Sequence, residues 1–495
     1  MSKSIVGLLK LVAVPCVVLA GCTANIKVAT DQHQLGNFSE AATQIETVAP
    51  TVEVDGKVKD LKGVEPRDEL YVGLEKAKML GDSGEYAHSI KIFDYVDDEA
   101  EFMRENNSAF LENPFNVAKW DTKELAEDLG KLVVGADQTT YVLQPFELIL
   151  GEAYASLNSL LHGQAGSAAY ARRAVRVQQL EREDRARAGY DTVQPPIAKM
   201  DRLIGKGLPV GSSTQFSVGG VFSLGDFTGA RASMKAVIDQ ARSKRALDPR
   251  VAFATVVEWA AFMAEGGPAE VNEAVNQIKA SAEAPKLVAR LGEFSKDRKK
   301  EFVLVLIDAG SGPSRGFFEV RIPIVVPSLG SANFRGVYPV LKFRSDGCPT
   351  KISVGTDAGV VDAELLDSID AISAEDFQRR ESELWWTPTA RAVIRTVAQI
   401  VAQATEDKDS SLGKWIALGV AIMGEAEQPD LRVWSTLPSL QYAVAVPRPS
   451  AGTLKVNLGS ATETKELEVL LPAGSSIVYV RALTPSRSRA AVAPL

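Results

Sequence analysis

The residue whose surroundings most clearly point to chemistry is Cys22. It closes the lipobox Leu19-Ala20-Gly21-Cys22, where small residues precede a cysteine at the end of an apolar run. Ser2 and Lys3 make a short positive start, and Leu8 to Leu19 is apolar apart from Lys10, which is the layout of a cleaved secretory signal. In that setting the Cys22 thiol is the nucleophile that accepts a diacylglycerol group, and cleavage before it leaves an acylated first residue. The run falls short of the roughly 20 residues a membrane-crossing helix needs. Two or three acyl chains, at about 0.8 kcal/mol for each buried CH₂, anchor a protein stably where one chain does not. An ordinary signal peptide with an incidental cysteine is the competing reading, and it leaves the match at every lipobox position unexplained. Thr23 follows where Asp would otherwise direct retention, which in a Gram-negative cell fits export to the outer membrane.

Other constellations carry less. Gly310-x-Gly312-x-x-x-Gly316 has the look of a phosphate loop, but strand-like Phe317-Phe318-Glu319-Val320 follows where a helix N-terminus is required, and no Gly-Lys-Ser/Thr is present. A turn is the better account. Once Cys16 leaves with the signal and Cys22 is acylated, Cys348 stands alone and no internal disulfide can form. His33, His88 and His162 are scattered through helical sequence upstream of it, so neither a thiol nucleophile with a base nor a metal-ligand pair emerges. Asp97-Asp98-Glu99 with Glu101 lacks the alternation and glycine of a calcium loop and reads as a solvated helix end or loop. Among 63 acidic residues, no spacing singles out a pair for glycan cleavage, although two acids distant in sequence can meet across a cleft.

The elements that would position such groups can be read from periodicity. Glycine, a residue two on, a small residue five on and a large apolar residue nine on recur as Gly36-Phe38-Ala41-Ile45, Gly84-Tyr86-Ser89-Phe93 and Gly225-Phe227-Ala230-Met234, with a weaker copy at Gly163, Ala165 and Ala168. Glycine permits the tight turn between two helices and the small residue lets them approach, as in the second helix of a tetratricopeptide repeat. An uninterrupted array repeats every 34 residues or so. These copies are spaced more widely, so the expectation is a degenerate solenoid with insertions. Apolar spacing predicts further helices over 68–79, 144–161, 167–184, 249–264 and 268–282. The arginine run 172–187 reads as a solvated helix face laced with acids. Segment 54–65 is charged and without a clear period, and 188–219 is a linker rich in Pro, Gly and Ser.

Near residue 300 the period changes. Segments 302–307 and 317–326, the second with Phe318, Val320, Ile322 and Ile324 on one face, read as a hairpin. Strand-like pieces follow at 337–344, 351–354 and 360–366, then helices at 374–383, 389–404 and 412–425, then strands at 440–446, 453–458, 466–471 and 476–482. The later helices are each too short to cross a bilayer. Trp385-Trp386 before them serves either lipid or partner contact, or core packing. Hydrophobic residues at 45% and charged residues at 24% are ordinary globular values. The formal charge of −8, more negative once Lys3 and Lys10 are lost, argues against nucleic acid as a partner.

Taken together, Pro145-Phe146-Glu147, Ala171-Arg172-Arg173-Ala174, the segment from Phe302 to Gly310 before Gly312-Pro313, and Asp430-Leu431-Arg432-Val433-Trp434-Ser435-Thr436-Leu437-Pro438 resemble a family of uncharacterised bacterial lipoproteins with helical repeats and a β-rich C-terminal region. The match runs from about 70 to 482, with alanine replacing larger aliphatic residues in the second repeat region. The family has no established activity and no catalytic residues to carry over. Some members are found near activators of peptidoglycan synthases, and the resemblance thereby implies an envelope role.

The expectation is an α+β multidomain protein: a signal peptide over 1–21, a TPR-like α-helical repeat solenoid over 22–295, a β-sandwich-like module over 300–482 with inserted helices at about 374–425, and a flexible tail over 483–495. Function is expected to be that of a membrane-anchored envelope lipoprotein, lipidated at Cys22 (palmitate among its acyl chains). It would be held in the periplasm, on the periplasmic face of the outer membrane, and bind an envelope protein through its helical repeats, with no enzyme activity, cofactor, metal or nucleic acid. The alternative is a cell-wall glycan- or peptide-processing enzyme using carboxylates, which predicts an acid of raised pKa in a cleft between the modules.

Overall fold

The computed structural model describes residues 22–106, 141, 143–188, 225–242, 251–326, 330–344, 346–378, 380, 384, 392 and 429–495. It is a mixed α+β protein, mostly helical before residue 300 and mostly strand after it. The first helix, α1 (Cys22–Gln34), folds back on α2 (Phe38–Val48), α3 (Glu69–Ser83) on α4 (Tyr86–Asn106), and α5 (Pro145–His162) on α6 (Ser167–Ala188). Helix α7 (Gly225–Arg242) precedes α8 (Ala252–Glu265), α9 (Pro268–Ser281) and α10 (Pro285–Lys296). Gly36, Gly84 and Gly163 sit at the hairpin turns with φ of +83°, +96° and +70°, values that an L side chain rarely adopts. Phe38, Ala41 and Ile45 of the first copy, and Ser89 and Phe93 of the second, are buried at the helix crossings. Helices α3, α5 and α8 are enclosed on nearly every side.

The β-rich part opens at β3 (Phe302–Ala309), which takes both faces into the interior. Its partners are distant in sequence: β9 (Leu440–Pro447) pairs antiparallel on one side and β12 (Ser476–Ala482) parallel on the other. With β8 (Glu364–Ser368) and β13 (Ser488–Pro494) at its edges the sheet has the order β13-β12-β3-β9-β8. Strand alternation splits the interior. Phe302, Leu304 and Leu306 join the apolar cluster formed with the helices, while Val303, Val305 and Ile307 join Val354, Leu454 and Val456 of a second sheet. That second sheet has the order β11-β10-β6-β7, from β6 (Lys351–Thr356), β7 (Gly359–Asp362), β10 (Thr453–Gly459) and β11 (Thr464–Leu470).

Three expectations are corrected. Residues 302–307 and 317–326 do not form a hairpin with each other; the second segment belongs to β4 (Ser311–Val326), which pairs with β5 (Gly330–Arg344) as a separate two-stranded ribbon. The charged segment 54–65 holds a hairpin of β1 (Thr51–Val54) and β2 (Lys57–Leu61), turned by Asp55 and Gly56, both at positive φ. The tail expected over 483–495 is not flexible, because β13 pairs with β12 along its whole length. The helices expected at 389–404 and 412–425, together with Trp385 and Trp386, fall outside the described residues apart from Ala392, which is helical and buried.

Candidate functional site

Residues 430–438 run as a strap between the helices and the sheet, held by acids of α3 and α5. Arg432 donates to Asp68 Oδ1 at 2.7 Å, to the Arg67 carbonyl at 3.0 Å and to Asp430 Oδ1 at 2.8 Å. Glu75 accepts the amides of Ser435 at 2.6 Å and Thr436 at 3.2 Å. Glu147, in the first turn of α5, accepts the Tyr141 hydroxyl at 2.6 Å and the Gln144 amide at 2.9 Å. Burial raises the pKa of Glu75 and Glu147, opposed in each case by these donors. Trp434 fills the space between them against Phe93 and Tyr154, its ring nitrogen donating to Thr436 Oγ1 at 3.0 Å.

Behind the strap lies a sealed polar network. Lys78 Nζ donates to Asp82 Oδ1 at 2.6 Å and to Tyr479 Oη at 2.9 Å, and lies 3.4 Å from Asp308 Oδ2. Asp308 also accepts the hydroxyls of Tyr154 at 2.7 Å and Tyr479 at 2.8 Å and the amide of Gln441 at 3.1 Å. Arg481 donates to the Gly310 carbonyl at 2.7 Å and approaches Asp82 Oδ2 within 3.4 Å. His33 Nε2 meets the same oxygen at 2.8 Å. Two cationic and two acidic side chains, drawn from α3, β3 and β12, thus close on each other, with His33 of α1 beside them. Burial lowers the His33 pKa to about 4, against the opposing pull of Asp82. Burial raises that of Asp82, but the combined effect of Lys78, His33 and Arg481 outweighs it and holds the carboxyl well below the usual range. All eight side chains of the network are buried, so no substrate reaches it in this arrangement. Its chemistry is to fasten helices to sheet by setting each enclosed charge beside an opposite one, while His33 Nδ1, Gln441 Oε1 and Arg481 Nε make no hydrogen bond.

A second acidic cluster lies at the junction of α4, α5 and α6. Arg173 reaches Glu152 at 3.0 Å, Asp94 at 3.1 Å and Asp97 at 3.6 Å, and Tyr170 donates to Asp94 at 3.0 Å. Burial, then the neighbouring Asp97 carboxylate, pushes Glu152 up to about 8. Asp97 therefore belongs to this cluster and does not sit at a solvated helix end. Arg172 pairs with Glu270 of α9 at 2.6 Å. These two half-exposed arginines bond to acids of neighbouring helices.

Cys22, the residue the lipobox singles out, lies on α1. Cys348 is buried, and desolvation with the Asp370 charge pushes its thiol up to about 12, so it is inert. Gly310 and Gly312 hold no phosphate cradle: a Cβ at Gly310 would lie 2.6 Å from Cys348 Sγ and one at Gly312 2.9 Å from the Leu437 carbonyl, and both glycines are there for close packing. His88 meets Thr51 Oγ1 at 3.0 Å, and His162 is exposed at the end of α5. Among the described residues, no group of His, Cys, Asp or Glu is arranged to hold a metal ion, and no helix is long and apolar enough to cross a membrane.

Sequence reasoning singled out none of the network residues as a group. The available signal was in α3, where Glu75, Lys76, Lys78 and Asp82 interrupt a helix otherwise apolar on most sides. Three of the four segments that carry the family resemblance meet here, supplying Glu147, Asp308 and the strap. No family model, no curated protein and no solved structure matches the chain.

Proposed function

We propose that this chain is a lipid-anchored bacterial envelope protein that works as a protein-binding scaffold or assembly factor without catalysis of its own, its helical hairpins forming a degenerate TPR-like array. One observation carries the reading: α1, which contains Cys22, the residue the lipobox marks for acylation, is buried in the body by Ile26 and Ala29. An acyl anchor there leaves no slack linker, so the body is held against the membrane surface in a set orientation. The inner helices α3, α5 and α8 are taken up by the strap and sheet, which leaves the outer helices α2, α4, α6 and α9 as the binding faces. Residence on the periplasmic face of the outer membrane and kinship with the lipoprotein family belong to the same proposal.

The alternative, a cell-wall glycan- or peptide-processing enzyme, draws on Glu152 beside Asp97, a carboxyl pair with one raised pKa. Against it, Arg173 bonds to Glu152 at 3.0 Å and lies 3.6 Å from Asp97, so a fixed guanidinium already neutralises the pair. Crosslinking in envelope membranes, with Cys22→Ser as control, tests the scaffold. The expected result is one stoichiometric protein partner for the parent and its loss in the control. Turnover of purified cell-wall fragments that disappears in Glu152→Gln would establish the enzyme instead.

A further inference from the structure

Lys78 is a primary amine sealed among groups that equip it to react. Its side chain is 2% exposed, and those of Asp82 and Asp308 beside it are 1% and 0% exposed. Nζ donates to Asp82 Oδ1 at 2.6 Å and to Tyr479 Oη at 2.9 Å, and it lies over the Tyr154 ring, 4.5 Å from the centroid. Toward Asp308 of β3 it stands differently, 3.4 Å from Oδ2 with no hydrogen bond between them. The acyl carbon Cγ is bonded to that oxygen, so amine and carboxyl are neighbours. Holding two reactants in place replaces a bimolecular encounter, with effective molarities of roughly 10⁵–10⁸ M for well-oriented pairs.

The Asp308 carboxyl is set up as an electrophile. Tyr154 donates to Oδ2 at 2.7 Å and Gln441 to Oδ1 at 3.1 Å. Donors on both oxygens draw charge from the carbon and stabilise the oxyanion of a tetrahedral intermediate. Tyr479 links the two reactants, accepting from Lys78 and donating to Asp308 Oδ2 at 2.8 Å, a shorter contact than its 3.1 Å to Asp82 Oδ1. A proton moved along that path turns ammonium and carboxylate into amine and carboxylic acid, the pair that can condense. A site closed to solvent favours those neutral forms over the ions.

We propose that Lys78 and Asp308 condense into an internal amide that staples α3 to β3, a covalent modification the fold forms on itself. Lys78 Nζ attacks Asp308 Cγ, and Asp82, bonded to Nζ, takes the proton that the new C–N bond makes acidic. That proton passes to the departing hydroxyl, which leaves as water when the C–O bond breaks. Nothing is oxidised or reduced, and each chain reacts once, so no turnover is implied.

The product relieves the site that makes it. Arg481 and Asp82 remain as one buried ion pair where there were two, and each buried ion removed spares a desolvation cost of several kcal/mol. The amide N–H is a new donor, and Gln441 Oε1, on the side chain that bonds the same carboxyl, is an acceptor without a partner. The staple depends on neither the membrane anchor nor a protein partner, so it stands or falls apart from the scaffold reading.

Mass analysis of a tryptic digest of the unfolded full chain, purified folded from the producing cell, tests it. The expected product is residues 77–91 joined to residues 301–315 through Lys78 and Asp308, one water lighter than the two peptides together and uncut after Lys78. Asp308→Asn is expected to lose ammonia instead and to give a joined peptide of identical mass, which no ion pair can produce. Asp82→Asn is expected to lower the joined fraction at least about tenfold at a fixed time after synthesis. Separate peptides cut at Lys78 from the folded parent overturn the proposal. So does a missing water that maps to Asp55-Gly56 or Asp346-Gly347, where an aspartyl succinimide can form, and full joining in a folded Asp82→Asn removes the proton path it rests on. The parent and Asp308→Asn decide the matter even where Asp82→Asn does not fold.

Discussion

At the scale of single residues, the sealed network makes stability depend on pH in a way that can be assigned to His33. Its pKa falls from 6.5 to about 4 on folding, so between those values the unfolded chain binds a proton that the folded chain refuses. Stability therefore rises with pH through this window, and protonation of the unfolded chain removes about 2.5 kcal/mol by pH 4.5. Urea unfolding of His33→Gln at pH 7.5 and 4.5 is expected to show a loss on acidification smaller than that of the parent by roughly this amount. Glu258 has the opposite sign. It is buried on α8 with its Oε2 unpartnered, and desolvation with nearby Glu273 and Glu270 pushes it up to about 8. Its contribution is present below pH 4.5 and lost as pH rises through 8. Glu258→Gln should thus unfold at higher urea than the parent at pH 9, by a few kcal/mol, with the two converging near pH 4.

At the scale of elements, the hairpin turns are where sequence and structure agree most closely, because a glycine at positive φ is a local requirement that leaves a local mark. Gly84 shows how little room such a turn has: φ is +96°, and an added Cβ would lie 2.6 Å from Arg489 Nη2, whose guanidinium also donates to the Asp82 carbonyl at 2.7 Å. Gly84→Ala is expected to cost about 2 kcal/mol, read as a lowered thermal midpoint. The strand segments were legible from alternation, but their partners were not. Strand β3 pairs with β9 and β12, both more than a hundred residues further on, and no local pattern encodes that choice. The Asp55-Gly56 hairpin carried a turn signal that its charged strands concealed. The network was hidden for a related reason: Lys78, Asp82, Asp308 and Arg481 look like solvent-facing charges until the fold brings them together. Only the acidic and basic residues within apolar α3 hinted otherwise.

At the scale of the whole molecule, three layers are joined by one strap and one buried network. The five-stranded sheet shares its apolar interior with the helices on one face and with the four-stranded sheet on the other. A body tied together in this way is suited to hold a fixed surface in a fixed orientation, and the helix that contains Cys22 packs directly on it. The central claim is that this body is held to a membrane through the sulfur of Cys22. Intact-mass and peptide analysis of the native protein from the producing cell tests it most directly. The account predicts a chain that starts at Cys22, bears a thioether-linked diacylglycerol and partitions with envelope membranes. A chain that retains residues 1–21, carries no fatty acid and is recovered from the soluble cytosolic fraction would contradict it.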